Sequence, residues 1–221
     1  MVSLRDFSAV AFGLLPTVFW LLFFLREDRN RPSGWKIFEI FIFGGFLSAI
    51  AAIAAESAVK YYFLASLGLA LFSPVALFIF AAIEETAKFG SVLILTKRGK
   101  RIRQPIDGMI YMITAGLGFA ALENIFGLLG SGNALVEIIV MRFIGATLLH
   151  ALASGFVGFY WMKGKLFRGL AAATLLHTAF NILILGFPLS PFYASLLLLV
   201  AAIFLFYDFD IIKAIKTKVI R

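Results

Sequence analysis

Two glutamates and a lysine interrupt a long apolar run in the stretch EETAK: Glu84, Glu85 and Lys88. Further along stand Glu123 and Asn124 in FAALEN, His150 in LLHALAS, and His177 and Asn181 in HTAFN. His150 and His177 are the only histidines in the chain. If these stretches are helical, Glu84 and Lys88 share a face, and Glu85 is turned about 100° away. His150 and Ser154 are likewise one turn apart, and Thr174, His177, Thr178 and Asn181 make a single polar stripe. Paired carboxylates with a lysine one turn on suit an acid/base couple acting on water. A histidine and an amide one turn apart can donate hydrogen bonds to a developing oxyanion. Water activation and oxyanion binding together point to hydrolysis.

The elements that position these groups are membrane spans. The 221 residues are 62% hydrophobic and only 14% charged, against about 25% charged in a soluble domain. This composition predicts an all-α polytopic membrane helical bundle forming a single domain over 1–221. The absence of cysteine excludes disulfide and thiolate chemistry. The net charge of +8 is carried largely by short loops between apolar runs, a pattern that fits a lipid bilayer and not nucleic acid. A span needs roughly 20 apolar residues. About seven such segments are present: 7–25, 37–56, 74–96, 106–129, 134–161, 169–187 and 191–210. The first is long enough to span and lacks a leader cleavage signature. Ser73-Pro74 reads as an N-cap followed by proline at the first helical position, so the third span starts there and 57–72 lie in the interface. Loops 26–36, 97–103 and 163–168 and the tail are basic, and they alternate with loops nearly free of Lys and Arg. Basic loops face the cytoplasm, which puts the N-terminus outside and the C-terminus inside a multi-pass protein of the cell membrane.

The polar groups fall at one depth. At about 1.5 Å per helical residue, Glu84 lies roughly 20 Å above Lys97, and His150 roughly 20 Å above Lys163. His177 and Asn181 lie roughly 14 and 20 Å above Arg168, and Glu123 roughly 25 Å into its span. Four spans thus bring their polar residues to a slab between mid-membrane and the outer leaflet. Left unpaired, three glutamates and a lysine there would cost on the order of 10 kcal/mol, comparable to a whole protein's stability. Mutual pairing, protonation or water must offset this. In the outer part of the fifth span, Arg142 is expected to neutralise Glu137 or Glu123.

The motif set EExxK, FxxxEN, a mid-span histidine and HxxxN, in this order on four successive spans, resembles that of the PrsW-type intramembrane proteases. These are grouped with the CAAX prenyl proteases and bacteriocin-processing enzymes. The resemblance covers about 74–187. It implies a glutamic-type peptide hydrolase needing no metal or other cofactor. Its substrate would be a single-pass membrane protein, such as an anti-sigma factor, cut near mid-membrane or in the outer leaflet. By the same resemblance Glu84 or Glu85 activates water, His177 and Asn181 line the oxyanion site, and His150 holds the water or the substrate carbonyl. Glu123 completes the catalytic set, with Lys88 and Asn124 in support. The CAAX branch has a histidine in its second motif where this chain has Glu123-Asn124, so that branch's proton-transfer role does not carry over to Glu123.

Three other readings use the same residues. Two histidines and a glutamate are an acceptable zinc set, although no HExxH is present. Chains of Glu and His also relay protons in transporters, which would call for inverted repeats and broken helices. A scaffold subunit of the same fold would keep these residues without using them. The sequence says nothing about oligomeric state.

Overall fold

The structure is a computed structural model, described here for residues 4–28, 32–130, 145–186 and 190–215. Among them the chain forms seven long helices and no strand. They are α1 (Leu4–Phe24), α2 (Gly34–Leu67), α3 (Pro74–Leu95), α4 (Pro105–Gly130), α5 (Thr147–Met162), α6 (Leu166–Gly186) and α7 (Ser190–Ala214). Five are long and apolar enough to cross a membrane. The other two are α3, which carries Glu84, Glu85 and Lys88, and α5, whose described part has 16 residues. Glu137 and Arg142 lie outside the described residues.

Local chemistry sets the helix ends. Ser73 Oγ accepts the Ala76 N–H, and Pro74 opens α3 where no N–H is needed. Helix α2 is longer than the span 37–56 expected within it: it continues through 57–67, and it contains two π-helical segments, Ile40–Gly44 and Val59–Leu64. No glycine or proline breaks the run until Gly68, which takes a left-handed φ of 63° and ends it. At 1.5 Å per residue, α2 is about 51 Å long, well over the roughly 30 Å of a hydrocarbon core.

Helix α4 is the axle. Every residue from Ile106 to Ala121 is buried. Two glycines two residues apart let partners approach its backbone from different sides. A side chain at Gly118 would collide with the Phe41 carbonyl of α2, and one at Gly116 with Ser154 and the His150 carbonyl of α5. The α4–α5 pair is antiparallel: Gly108 meets Met162, Gly116 meets Ser154, and Asn124 meets Thr147. Helix α6 returns along α5, bringing Gly169 against Tyr160 and His177 against His150. Helix α1 packs on α4 at Gly13–Ile125 and on α7 through Phe24, stacked on Phe206 and Phe209. At the end carrying the basic loops, Lys213 of α7 pairs with Glu27 at 2.6 Å. Also at that end, α3 closes in a tight turn in which Lys97, Arg98 and Gly99 all have positive φ.

Candidate active site

Four helices meet around Lys88, which is fully buried. An ammonium has three donors and no acceptor, and here all three find partners. Lys88 Nζ lies 2.8 Å from Glu85 Oε1, 3.5 Å from Glu84 Oε2 and 2.7 Å from His150 Nδ1. It also sits 4.4 Å over the ring of Phe119, a cation–π contact in a site shielded from water. Phe119 therefore packs on the ammonium and on the His150 ring, 5.3 Å away.

These contacts fix the state of His150. Because Lys88 can only donate, Nδ1 accepts, and the ring proton resides on Nε2. Nε2–H then donates to Glu123 Oε2 at 2.6 Å. On α6, His177 donates from Nδ1 to Glu85 Oε1 at 3.0 Å, and its Nε2 stands 3.9 Å from Glu84 Oε2. The two imidazoles meet edge to face, with centroids 5.1 Å apart. An unbroken chain, Glu123–His150–Lys88–Glu85–His177, thus crosses α4, α5, α3 and α6. Its parts come from local spacing. Glu84, Glu85 and Lys88 lie within one turn of α3, and the small residues of α4 let α5 close in until His150 reaches both neighbours.

A cavity of about 370 Å³ opens beside this chain. Glu84, Glu123, His150, His177 and Asn181 form its polar wall; Gly127, Ala146, Leu149, Phe180 and Ile184 form the rest. Glu85 and Lys88 stand behind that wall and do not line it. Glu85 has no exposed surface, and its Oε2 has no hydrogen-bond partner among the described residues. Asn124 points elsewhere: its Nδ2 donates to Thr147 Oγ1 at 3.0 Å and to the Gly13 carbonyl at 3.4 Å, tying α4 to α5 and α1 directly beside Glu123.

The structure thus gathers Glu84, Glu85, Lys88, Glu123, His150 and His177 into one network, puts Asn181 on its cavity, and sets Asn124 behind it. Three polar residues grouped with them by spacing do not join. Thr178 hydrogen-bonds to the Thr174 carbonyl within its own helix, and Ser154 is buried against α4. Gly13 escaped sequence reasoning altogether. Only Pro16, which lacks the N–H of a regular turn, marks that part of α1 as unusual.

A polytopic helical bundle with buried carboxylates and histidines converging on an intramembrane cavity has the form of a membrane-embedded hydrolase. The match to known sequences names the class: residues 32–207 fit the model described as PrsW family intramembrane metalloprotease, and the chain belongs to that family of intramembrane proteases. It is similar to Protease PrsW of Geobacillus kaustophilus, at 30% identity over 161 residues, covering 72% of this chain and 68% of the relative. Protease PrsW of Oceanobacillus iheyensis is 25% identical, covering 84% and 89% of the two chains. Protease PrsW of Clostridioides difficile is 22% identical, covering 78% and 77%. No solved structure matches.

The family description names a metal, and the donor types for one are present: single atoms of Glu84, His150 and His177 lie within 4.8 Å of one another. The arrangement does not fit a divalent ion as it stands. Both ring nitrogens of His150 already make short bonds, to Lys88 and Glu123. A ligating histidine needs one nitrogen free for the metal. The Lys88 ammonium also lies against two of the three would-be ligands, where a second cation would meet direct repulsion.

Proposed function

We propose that the chain hydrolyses a peptide bond in a single-pass membrane protein, in the cell membrane, with Glu84 as the general base and no metal ion. The observation that carries this reading is the division of labour on α3: Glu84 faces the cavity, and Glu85 is sealed behind it between Lys88 and His177. A water in the cavity can reach both Glu84 Oε2 and His177 Nε2, since the 3.9 Å between them is shorter than two hydrogen bonds laid end to end. Glu84 takes a proton from that water, whose oxygen attacks the scissile carbonyl carbon. With Nδ1 committed to Glu85, His177 turns Nε2 toward that water and is suited to orient it. The amide of Asn181, which makes no hydrogen bond among the described residues, is the donor for the oxyanion. As the tetrahedral intermediate collapses, the proton on Glu84 passes to the leaving nitrogen. His150 and Glu123 hold the opposite side of the cavity, and Lys88 and Glu85 position His150 and His177.

The distance of the polar residues from the basic loops supports a cut near mid-membrane or in the outer leaflet. An anti-sigma factor is a substrate of this type. The test is cleavage of single-pass membrane proteins by purified protein in detergent or vesicles, comparing wild type with Glu84→Gln, Glu85→Gln and His177→Ala, with and without chelator. Full cleavage by Glu84→Gln would refute the mechanism.

A further inference from the structure

The polar wall of the cavity is followed, one helical turn farther from the basic loops, by an apolar rim. Helix α4 runs away from the 97–103 loop, and Gly127 follows Glu123 by one turn. Helix α5 runs toward the 163–168 loop, so Ala146, one turn before His150, lies on the same far side. Helix α6 runs away again, and Ile184 lies one turn past Asn181. Three helices of alternating direction thus place a small or aliphatic residue at a common level beyond the catalytic groups. Leu149 and Phe180, both buried, back this level, and among the described residues lining the cavity it carries no polar side chain.

We infer that Gly127, Ala146 and Ile184 form a collar that selects the substrate residue one or two positions from the scissile bond. This rests on the protease reading of the cavity. One helical turn is about 5.4 Å along the helix axis. An extended peptide advances about 3.3 Å per residue. A chain whose carbonyl sits between Glu84 and Asn181 therefore presents its next or next-but-one side chain to the collar, on the side leading away from the basic loops. The collar accepts an apolar side chain, because a charged one would lose its hydration there and meet no polar side chain among the described residues at that level. Gly127 and Ala146 leave the room that side chain occupies, and Ile184 sets its outer limit.

The probe is a single-pass reporter that the wild-type enzyme cleaves, its cut site mapped by mass spectrometry. Ala, Leu, Phe and Asp are then placed in turn at each of three positions on either side of the cut. At the collar position, Asp is expected to lower kcat/KM by about 100-fold. Ala146→Leu is expected to lower kcat/KM for Leu and Phe reporters by about tenfold or more while sparing the Ala reporter. Ile184→Ala is expected to raise cleavage of the Phe reporter, a gain that a misfolded variant cannot produce. Parallel losses on all reporters would overturn the collar, as would a size-sensitive position on the opposite side of the cut. Those results leave the protease reading standing. A wild-type enzyme that cuts no single-pass reporter removes both.

Discussion

Lys88 Nζ lies 2.7 Å from His150 Nδ1, closer than it lies to either glutamate of its own helix. A buried ammonium is thereby used to choose a histidine tautomer. Because Nδ1 must accept, Nε2 carries the proton and turns it toward Glu123. Replacing Lys88 by Met keeps much of the side-chain volume but leaves two buried carboxylates without their cation. Breaking a buried pair in this way costs about 3–5 kcal/mol. Lys88→Met should lower the unfolding temperature clearly and leave cleavage undetectable. Lys88→Arg should not restore activity, because the planar guanidinium cannot offer three donors in the tripod that Glu84, Glu85 and His150 demand. Thermal unfolding and reporter cleavage, measured on the same preparations, check both statements.

The adjacent glutamates should separate in their effects. Glu84→Gln removes the base from the cavity wall while leaving the Lys88–Glu85–His177 links intact. Turnover should fall at least about 1,000-fold with little change in unfolding temperature. Glu85→Gln weakens the contacts of Lys88 and His177 at once, so it should lower stability as well as activity. Equal stability losses in the two variants would contradict the assigned division.

Chelation should leave cleavage unchanged. With Lys88 against both Glu84 and His150, the wild-type cluster should also hold no stoichiometric zinc or cobalt, as read by elemental analysis of purified protein. Activity lost to a chelator and regained on adding a divalent ion would reverse this conclusion.

Asn124 should act at one remove. Asn124→Ala breaks its bonds to Thr147 and Gly13 and should cost about 1–3 kcal/mol. The activity loss, about tenfold, should fall on kcat with KM nearly unchanged, because Asn124 does not line the cavity. A dominant rise in KM would show that it touches substrate instead.

The helix crossing at Gly118 admits no side chain. Gly118→Ala would press a methyl group against the Phe41 carbonyl, and overpacking of this kind costs about 1–3 kcal/mol. Gly130→Ala, at the open end of the same helix where an added Cβ meets nothing, should be nearly silent. Thermal unfolding of the two variants side by side measures the difference.

Much of the site was legible because intramembrane charge is costly and helical spacing is regular. Glu84, Glu123, His150, His177 and Asn181 could be placed at one depth by counting from the basic loops, and the structure brings them to one cavity. Which of Glu84 and Glu85 faces that cavity could not be read the same way. The 100° between them is a property of α3 alone, but the absolute rotation of α3 depends on what packs against it, namely α2, α6 and the Phe119 ring. The end of α2 is not legible from the span, because hydropathy marks the stretch that crosses lipid and not the residue that ends the helix, here Gly68. The bond from Asn124 to Gly13 joins two residues more than a hundred positions apart, and no local pattern announces it.

The order in which Lys88 meets its partners follows from chain direction. Both of its carboxylates lie on its own helix within the preceding turn, and His150 lies on a helix made later. Because its counter-charges travel on the same helix, entry of α3 into lipid should not depend on α5 and α6. The paired carboxylates of α3 thus accompany their lysine into the bilayer, and the histidines join a helix already in place.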